Sequence, residues 1–330
     1  GLVIQIVVML FYWLGVKTPY TGFFFLTGRL LHGPGSASVF VAAQALALHA
    51  SSPKRAGQAS GVVRGAMAIG VPVGLVLGGV LSDAWGEART FEAAGVALIL
   101  ATIGAYLLLP DLRATVKTRP KLLDSLRMLS DKRLGAIGGL SFAATFAGSG
   151  MVLTTATLLV HARHLTAFGL PERASASLFM GLLVISEGAT MPLLGRLGDR
   201  LGAHAWVAAI GMTAMIPALL WIAFAHTPTA YASSLTMLGV SIAALGPSVL
   251  ALIGELVAPH LRGLAIGALS VCADVGGTAG PLVGTAIFSG DLSHPYEVSA
   301  FVIAVFVPAA FWLTRAEARA AAVMPEVKLV

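Results

Sequence analysis

Residues 61–82 read GVVRGAMAIGVPVGLVLGGVLS, an apolar stretch that contains one charged side chain, Arg64. About 20 helical residues cross the roughly 30 Å of hydrocarbon in a bilayer, and lipid offers the backbone no hydrogen-bond partner, so this stretch predicts a membrane-spanning helix. Gly70, Gly74 and Gly78 recur every four residues, so they share one helix face that a second helix can approach closely. The stretch therefore predicts a bundle of packed membrane helices.

The composition of the whole chain also indicates a membrane protein. Of the 330 residues, 57% are apolar and 11% are charged, whereas a soluble domain has about 45–50% and 25%. So few charged side chains exclude a water-soluble fold. The net charge of +6 does not predict nucleic-acid binding, because the basic residues are spread through short loops. The single cysteine, Cys272, excludes an intramolecular disulfide and a cysteine-based zinc site, and we expect no cofactor and no metal.

Ten apolar runs are long enough to predict an all-α integral membrane protein. The first run is short, and Gly1 opens directly within it, so we expect a chain that is cut at its N-terminus. The predicted spans are 1–16, 21–48, 61–82, 91–109, 134–160, 174–194, 205–225, 230–257, 263–288 and 296–314.

One long basic connection divides the spans into four and six, which predicts a partial N-terminal bundle at 1–110, a cytoplasmic linker at 111–133, a C-terminal bundle at 134–314 and a cytoplasmic tail at 315–330. Most of the 21 basic residues fall on one side of the predicted membrane. Because positively charged loops stay in the cytoplasm, this asymmetry predicts that both ends of the chain lie inside.

The chain contains an internal repeat at an offset of 206 residues. Transporters are often built from two related halves, so ordered matches along two spans point towards that class. Ordinary small-residue packing between membrane helices is the competing explanation. The glycine pairs are Gly57 with Gly263, Gly61 with Gly267, Gly70 with Gly276, Gly74 with Gly280, and Gly78 with Gly284.

The segment from Gly61 to Gly78-Gly79 resembles the fifth-helix antiporter motif of the major facilitator superfamily. The second copy carries the Gly-Pro pair of that motif as Gly280-Pro281, whereas the first copy has Leu75 in place of the proline. The helix-packing residues implied by this resemblance are Gly61, Gly70, Gly74, Gly78, Gly79, Gly276, Gly280, Pro281 and Gly284.

Two further motifs resemble the same family. Residues 195–202, GRLGDRLG, are similar to its cytoplasmic signature Gly-x-x-x-Asp-Arg-x-Gly, and residues 29–35, RLLHGPG, are similar to its fourth-helix pattern, with His32 in place of Gln. The resemblance implies helices three to twelve of a twelve-helix fold with two pseudo-symmetric bundles. It also implies a gating signature in which Asp199 caps the helix that begins near Gly61, and Arg200 or Arg196 pairs with Glu255. The gating residues are Gly195, Asp199, Arg200, Gly202 and Glu255.

Arg29, Glu187 and Asp274 place ionisable groups inside predicted spans, where a charge is costly and is a functional candidate by default. His32 lies one turn from Arg29 and titrates near physiological pH when it is unperturbed. We interpret these four residues as the substrate and proton-coupling site. Each has a structural alternative: a snorkelling or carbonyl-bound cation for Arg29, a hydrogen-bonded interior histidine for His32, and polar contacts between helices for the two carboxyl groups.

The sequence predicts a monomeric secondary transporter in the bacterial inner membrane, which works by alternating access and exports drugs or metabolites in exchange for protons. Leu75 leaves open an importer or uniporter of sugars or organic acids, and a receptor or scaffold that does not transport is a third hypothesis. Because the chain contains no Walker loop and no His-Glu-x-x-His motif, no enzymatic activity is expected. The expected partners are a small-molecule substrate, protons and the lipid bilayer, with no nucleic acid.

Overall fold

A computed structural model of the chain describes residues 1–50, 56–109, 127–257, 261–288 and 291–323, and every regular element within these ranges is helical. The chain divides into two compact units, Gly1–Lys117 and Thr118–Val330. The first unit consists of α1 Leu2–Lys17, α2 Thr21–Ala50, α3 Ala56–Trp85 and α4 Glu87–Leu108.

The second unit begins with a long interrupted helix, in which α5 and α6 flank a π-helical segment, Phe146–Val152. Its remaining helices follow in chain order. The α-helices of the unit are α5 Lys132–Thr145, α6 Leu153–Ala162, α7 Glu172–Leu201, α8 His204–Phe224, α9 Pro228–Ala243, α10 Leu245–Leu256, α11 Arg262–Phe288 and α12 His294–Val323.

Helices coincide with the ten predicted apolar runs, and the prediction of an all-α membrane fold is confirmed. Among the described residues, seven helical stretches are long and apolar enough to cross a membrane: Glu87–Leu108, Lys132–Ala162, Glu172–Leu201, His204–Phe224, Pro228–Leu256, Leu264–Ile287 and His294–Glu317. The helix Leu2–Lys17 and the segment Val73–Trp85 are apolar but shorter.

An aromatic cluster holds α1, α2 and α4 together in the first unit. The Tyr12 ring lies 5.3 Å from the Phe25 ring and 5.6 Å from the Phe91 ring, measured between centroids. Gly28 makes this packing possible, because a Cβ atom there would lie 2.7 Å from Tyr12 Cε1. The three rings therefore fix how α1 and α2 cross, and this crossing positions the polar groups described below.

The core of the second unit lies where the interrupted helix packs against its neighbours. Thr145 Oγ1 donates to the carbonyl oxygen of Ala273 on α11 at 2.7 Å. Thr155 Oγ1 donates to the hydroxyl of Tyr296 on α12 at 3.1 Å, and both side chains are fully buried. A polar group buried without a partner costs free energy, so these bonds fix the rotation of the helices as well as their separation.

The glycines of the two repeat copies have different surroundings. In the second unit, a Cβ atom on Gly280 would lie 2.6 Å from the Cα of Gly150, and one on Gly276 would lie 3.1 Å from the carbonyl carbon of Phe142. These glycines form the seam where α11 meets the interrupted helix. In the first unit, no described atom lies within 4 Å of the Cβ positions of Gly70, Gly74 and Gly78.

Candidate functional site

Arg29 and His32 lie on α2, next to the proline interruption in the motif RLLHGPG. Pro34 lacks the N–H that would bond to the carbonyl of Leu30, so the helix is weakened within the motif. Arg29 is exposed and His32 is half-buried within the first unit. At a rise of 1.5 Å per residue, they lie about 12 and 16 Å along the helix from Thr21.

His32 has a partner that sequence reasoning missed, namely Gln5 on α1. The Gln5 amide nitrogen donates to the carbonyl oxygen of His32 at 3.1 Å, and its amide oxygen lies 2.8 Å from His32 Nδ1. Gln5 is uncharged and lies in an apolar run, so the sequence carries no signal for this contact beyond one polar residue within a span. The pair joins α1 to α2 at the depth of the predicted site.

Glu187 lies near the middle of α7 and is half-buried. Its polar neighbours are occupied by their own helix, since Ser186 Oγ donates to the carbonyl of Leu183 at 2.8 Å and Thr190 Oγ1 donates to the carbonyl of Ser186 at 2.6 Å. Gly239 of α9 packs against this part of α7, and a Cβ atom there would lie 3.1 Å from the Glu187 nitrogen. Within the described ranges, the Glu187 carboxyl group has no hydrogen-bond or ion-pair partner.

Asp274 lies near the middle of α11 and is exposed within the second unit. It lies on an open, mostly apolar face of the helix together with Val271, Val275, Thr278, Ala279 and Leu282. The Thr278 hydroxyl donates to the backbone carbonyl of Asp274 and leaves the carboxyl group unused.

Residues 195–202, the signature segment, form the last turns of α7. Gly202 adopts a left-handed conformation with φ of 58°, which ends the helix in the way typical of a glycine cap. Asp199 faces His204 at the start of α8, with 3.3 Å between Oδ1 and Nε2. Among the described side chains, neither Arg196 nor Arg200 forms the predicted ion pair with Glu255. The start of the segment near Gly61, which Asp199 was expected to cap, falls partly outside the described residues.

His204 and Glu317 form a second polar cluster that sequence reasoning missed. Glu317 of α12 accepts a hydrogen bond from the Ala205 backbone nitrogen at 3.1 Å, so it caps the N-terminus of α8. His204 Nδ1 and Glu317 Oε1 are buried and make no hydrogen bond to any described residue. The two residues are separated by 113 positions in the chain, so no local pattern indicates this contact.

Comparison with known proteins identifies the family to which this architecture corresponds. A model of the Major Facilitator Superfamily matches residues 1–186 and 138–328. The Multi-drug resistance efflux pump PmrA homolog of Lactococcus lactis is 28% identical over 267 residues, which make up 76% of this chain and 63% of that protein. The chain therefore spans less than two thirds of the length of this relative.

Two crystal structures of a bacterial homolog to the human lysosomal transporter Spinster have a similar fold. The inward-facing occupied structure has a TM-score of 0.73 at 14% identity and covers 95% of this chain and 81% of the other. The inward-facing unoccupied structure has a TM-score of 0.73 at 15% identity, with coverage of 96% and 82%. At this identity the likeness concerns the fold alone.

Proposed function

This chain belongs to the major facilitator superfamily, whose members are membrane transporters and not enzymes, and we propose on that premise that it exports small organic molecules in exchange for protons. Drugs or metabolites are the proposed substrate class. The name of the Lactococcus relative, a multidrug efflux pump, supports this substrate class and this direction of transport. Alternating access between two helical bundles is the proposed mechanism.

The surroundings of Glu187 carry the proposal: its carboxyl group is half-buried near the middle of α7 and has no partner among the described residues. A charged side chain at the bilayer centre costs roughly 2.5–3.5 kcal/mol on insertion scales, so a carboxyl group without a partner there is favoured in its neutral, protonated form. A carboxyl group that no fixed donor engages can release its proton when water or substrate reaches it. We propose that Glu187 carries the exchanged proton, and that Asp274 lies on the substrate path because the helix face around it is apolar and open.

The signature residues form the proposed inner gate. Asp199 and Arg200 lie at the exposed end of α7, and Glu255 is exposed near the end of α10. An exposed ion pair is worth about 0.2–1 kcal/mol, which is enough to bias a gate without locking it. We propose that Arg200 and Glu255 pair in only one of the two states of the transport cycle. Gly195 and Gly202 allow close packing and the sharp end of α7 at this gate.

Dye transport by the purified full chain in proteoliposomes tests the proposed exchange. An imposed pH gradient should drive ethidium across the membrane, and Glu187→Gln should abolish that flux while ethidium binding persists. Glu297→Gln removes a carboxylate in the first turn of α12 and is the matched control, which should retain transport. Ethidium flux that is unchanged when nigericin collapses the gradient would contradict proton coupling and favour a uniporter. The absence of any gradient-driven flux, with ethidium still bound, would favour a protein that does not transport.

A further inference from the structure

Gln5 makes two hydrogen bonds to His32, and the proposed proton exchange gives Gln5 no role. The Gln5 side chain is buried, with 7% of its surface exposed. Gly35, the last glycine of the motif RLLHGPG, makes room for it, because a Cβ atom there would lie 3.1 Å from the Gln5 amide nitrogen. The motif glycine and the buried amide therefore form one contact between α1 and α2.

The geometry of this contact determines the tautomer of His32. A backbone carbonyl oxygen can only accept, so the Gln5 group that lies 3.1 Å from the His32 carbonyl must be the amide nitrogen. The Gln5 amide oxygen is then the atom at 2.8 Å from Nδ1, and because that oxygen can only accept, Nδ1 must carry a hydrogen. The neutral ring is therefore the Nδ1–H tautomer, and its free lone pair is on Nε2. Within the described ranges, Nε2 has no hydrogen-bond partner.

The depth of Gln5 and His32 in the predicted membrane suits a group that carries protons across it. Along their helices, His32 is about 16 Å from Thr21 and Gln5 is about 18 Å from Lys17. The predicted spans put the connection between Lys17 and Thr21 at the membrane surface, which would place both residues near the middle of a bilayer that is roughly 30 Å thick. Arg29 on the same helix is the described charge that acts on the ring. The other described titratable groups on the helices packed against α2 are Tyr12 and Lys17 of α1, Asp83 of α3, and Glu87, Arg89, Glu92 and Tyr106 of α4. Tyr12 and Lys17 lie about two or more helical turns from Gln5.

We propose that Gln5 is a positioning residue that holds His32 as the Nδ1–H tautomer, so that a second transported proton, besides the one assigned to Glu187, binds and leaves at Nε2. A proton from water adds to the Nε2 lone pair to form the imidazolium, and the same N–H bond breaks when the proton returns to water on the other side. The hydrogen on Nδ1 stays bonded to Nδ1 and is donated to the Gln5 amide oxygen throughout, so the ring does not flip. This role rests on the proposed proton exchange.

Nuclear magnetic resonance of the ¹⁵N-histidine-labelled full chain in lipid nanodiscs tests the tautomer directly. The chain has eight histidines, and His32→Asn identifies the His32 signals by their loss. We expect a protonated Nδ1 and a bare Nε2 at high pH, and the titration should occur at Nε2. A ring protonated on Nε2 at high pH, or a ring that does not titrate, would overturn the proposal. This measurement needs no transport, so it remains informative if proton exchange fails.

Variants of Gln5 test whether the contact serves transport and not only packing. Gln5→Leu removes the acceptor, so the His32 titration and the pH profile of ethidium transport should both move to lower pH by about half a unit or more. Gln5→Glu keeps an acceptor and adds a negative charge, so both should move to higher pH. Thr27→Val is the control, because the Thr27 hydroxyl bonds to a carbonyl of its own helix. This variant should leave the His32 titration and the pH profile of transport unchanged.

These outcomes separate the proposed role of Gln5 from the proposed exchange. The pH gradient could drive transport with the same pH profile in the wild type, Gln5→Leu and Gln5→Glu. That result would overturn the role of Gln5 and leave the proposed proton exchange intact. A loss of transport in Gln5→Leu that Gln5→Glu does not restore, with unchanged titration of His32, would make Gln5 structural only. A shift of both readouts in opposite directions in the two variants is the result expected.

Discussion

Arg163, in the connection between α6 and α7, joins that connection to the end of another helix. Its Nη1 donates to the carbonyl of Ala225 and its Nη2 donates to the carbonyl of Ala223, both at 2.6 Å. The last carbonyls of a helix have no partner within the helix and carry its negative dipole end, so a guanidinium is well suited to them. One side chain thus caps α8 from a part of the chain 60 residues earlier.

Arg163→Ala should destabilise the second unit by about 2 kcal/mol, because hydrogen bonds to a charged group contribute about 1.5–3 kcal/mol and this site is partly exposed. Arg163→Lys should recover only part of the loss, since an ammonium lacks the planar fork that reaches two carbonyls. Thermal unfolding in detergent measures both changes. Arg89→Ala, at an exposed position of α4, is the control. Equal melting temperatures for Arg163→Ala and the control would show that the cap contributes nothing.

Asp291, in the connection before α12, predicts how the stability of the folded protein changes with pH. The backbone N–H and the hydroxyl of Ser293 donate to its carboxylate at 2.8 and 2.9 Å and lower the pKa of Asp291 below its usual value. A lowered pKa in the folded state means that the stabilisation is present at neutral pH and is lost as the pH falls below about 4. Between pH 6 and pH 3, the melting temperature of Asp291→Asn should therefore fall less than that of the wild type. An equal loss in both proteins would refute this.

At the scale of elements, the seam between α11 and the π-helical segment Phe146–Val152 is a close backbone contact of the second unit. π-helical turns are rare and often mark functional positions. Here Gly150 meets Gly280 backbone to backbone, which leaves no flexible side chain to move aside. The seam therefore depends on the absence of side chains at these two positions.

Gly280→Ala should destabilise the chain by about 1–3 kcal/mol, because the new methyl group would overlap the Gly150 backbone. Gly277→Ala is the matched control on the same helix, since the nearest described atom to its Cβ position is Ser149 Oγ at 3.8 Å. Unfolding of the two variants in urea and detergent measures the difference. Helix propensity favours alanine over glycine at both positions, so a control that is as unstable as Gly280→Ala would mean that the close approach to Gly150 does not explain the effect.

At the scale of the molecule, cysteine labelling tests the membrane orientation that the distribution of basic residues predicts. The single native cysteine, Cys272, is first replaced. In a Cys272→Ser background, Asp291→Cys should react with a membrane-impermeant maleimide in intact cells, because the proposed orientation puts that connection outside. Lys132→Cys should react only after the cells are lysed. The reverse pattern would invert the proposed topology and place both chain ends outside.

The resemblance to the major facilitator superfamily and the all-α membrane fold are both confirmed, and the reason lies in the physics of lipid. A backbone in hydrocarbon must satisfy its own hydrogen bonds, so an apolar run such as 205–225 can be read directly as a helix, here His204–Phe224. Roles of individual residues are harder to read. Arg200 and Glu255 match the family pattern, yet the described contact of the signature segment is between Asp199 and His204.

The sequence alone determined that the apolar runs are helices and which family they form, because span length, glycine spacing and signature motifs are local properties of the chain. Only the tertiary structure decided which polar groups meet. Gln5 and His32 are 27 residues apart, and Thr145 and Ala273 are 128 apart. A helix that is apolar on all sides gives no periodic sign of its rotation. The packing of one helix on another therefore selects the partner of each buried polar group.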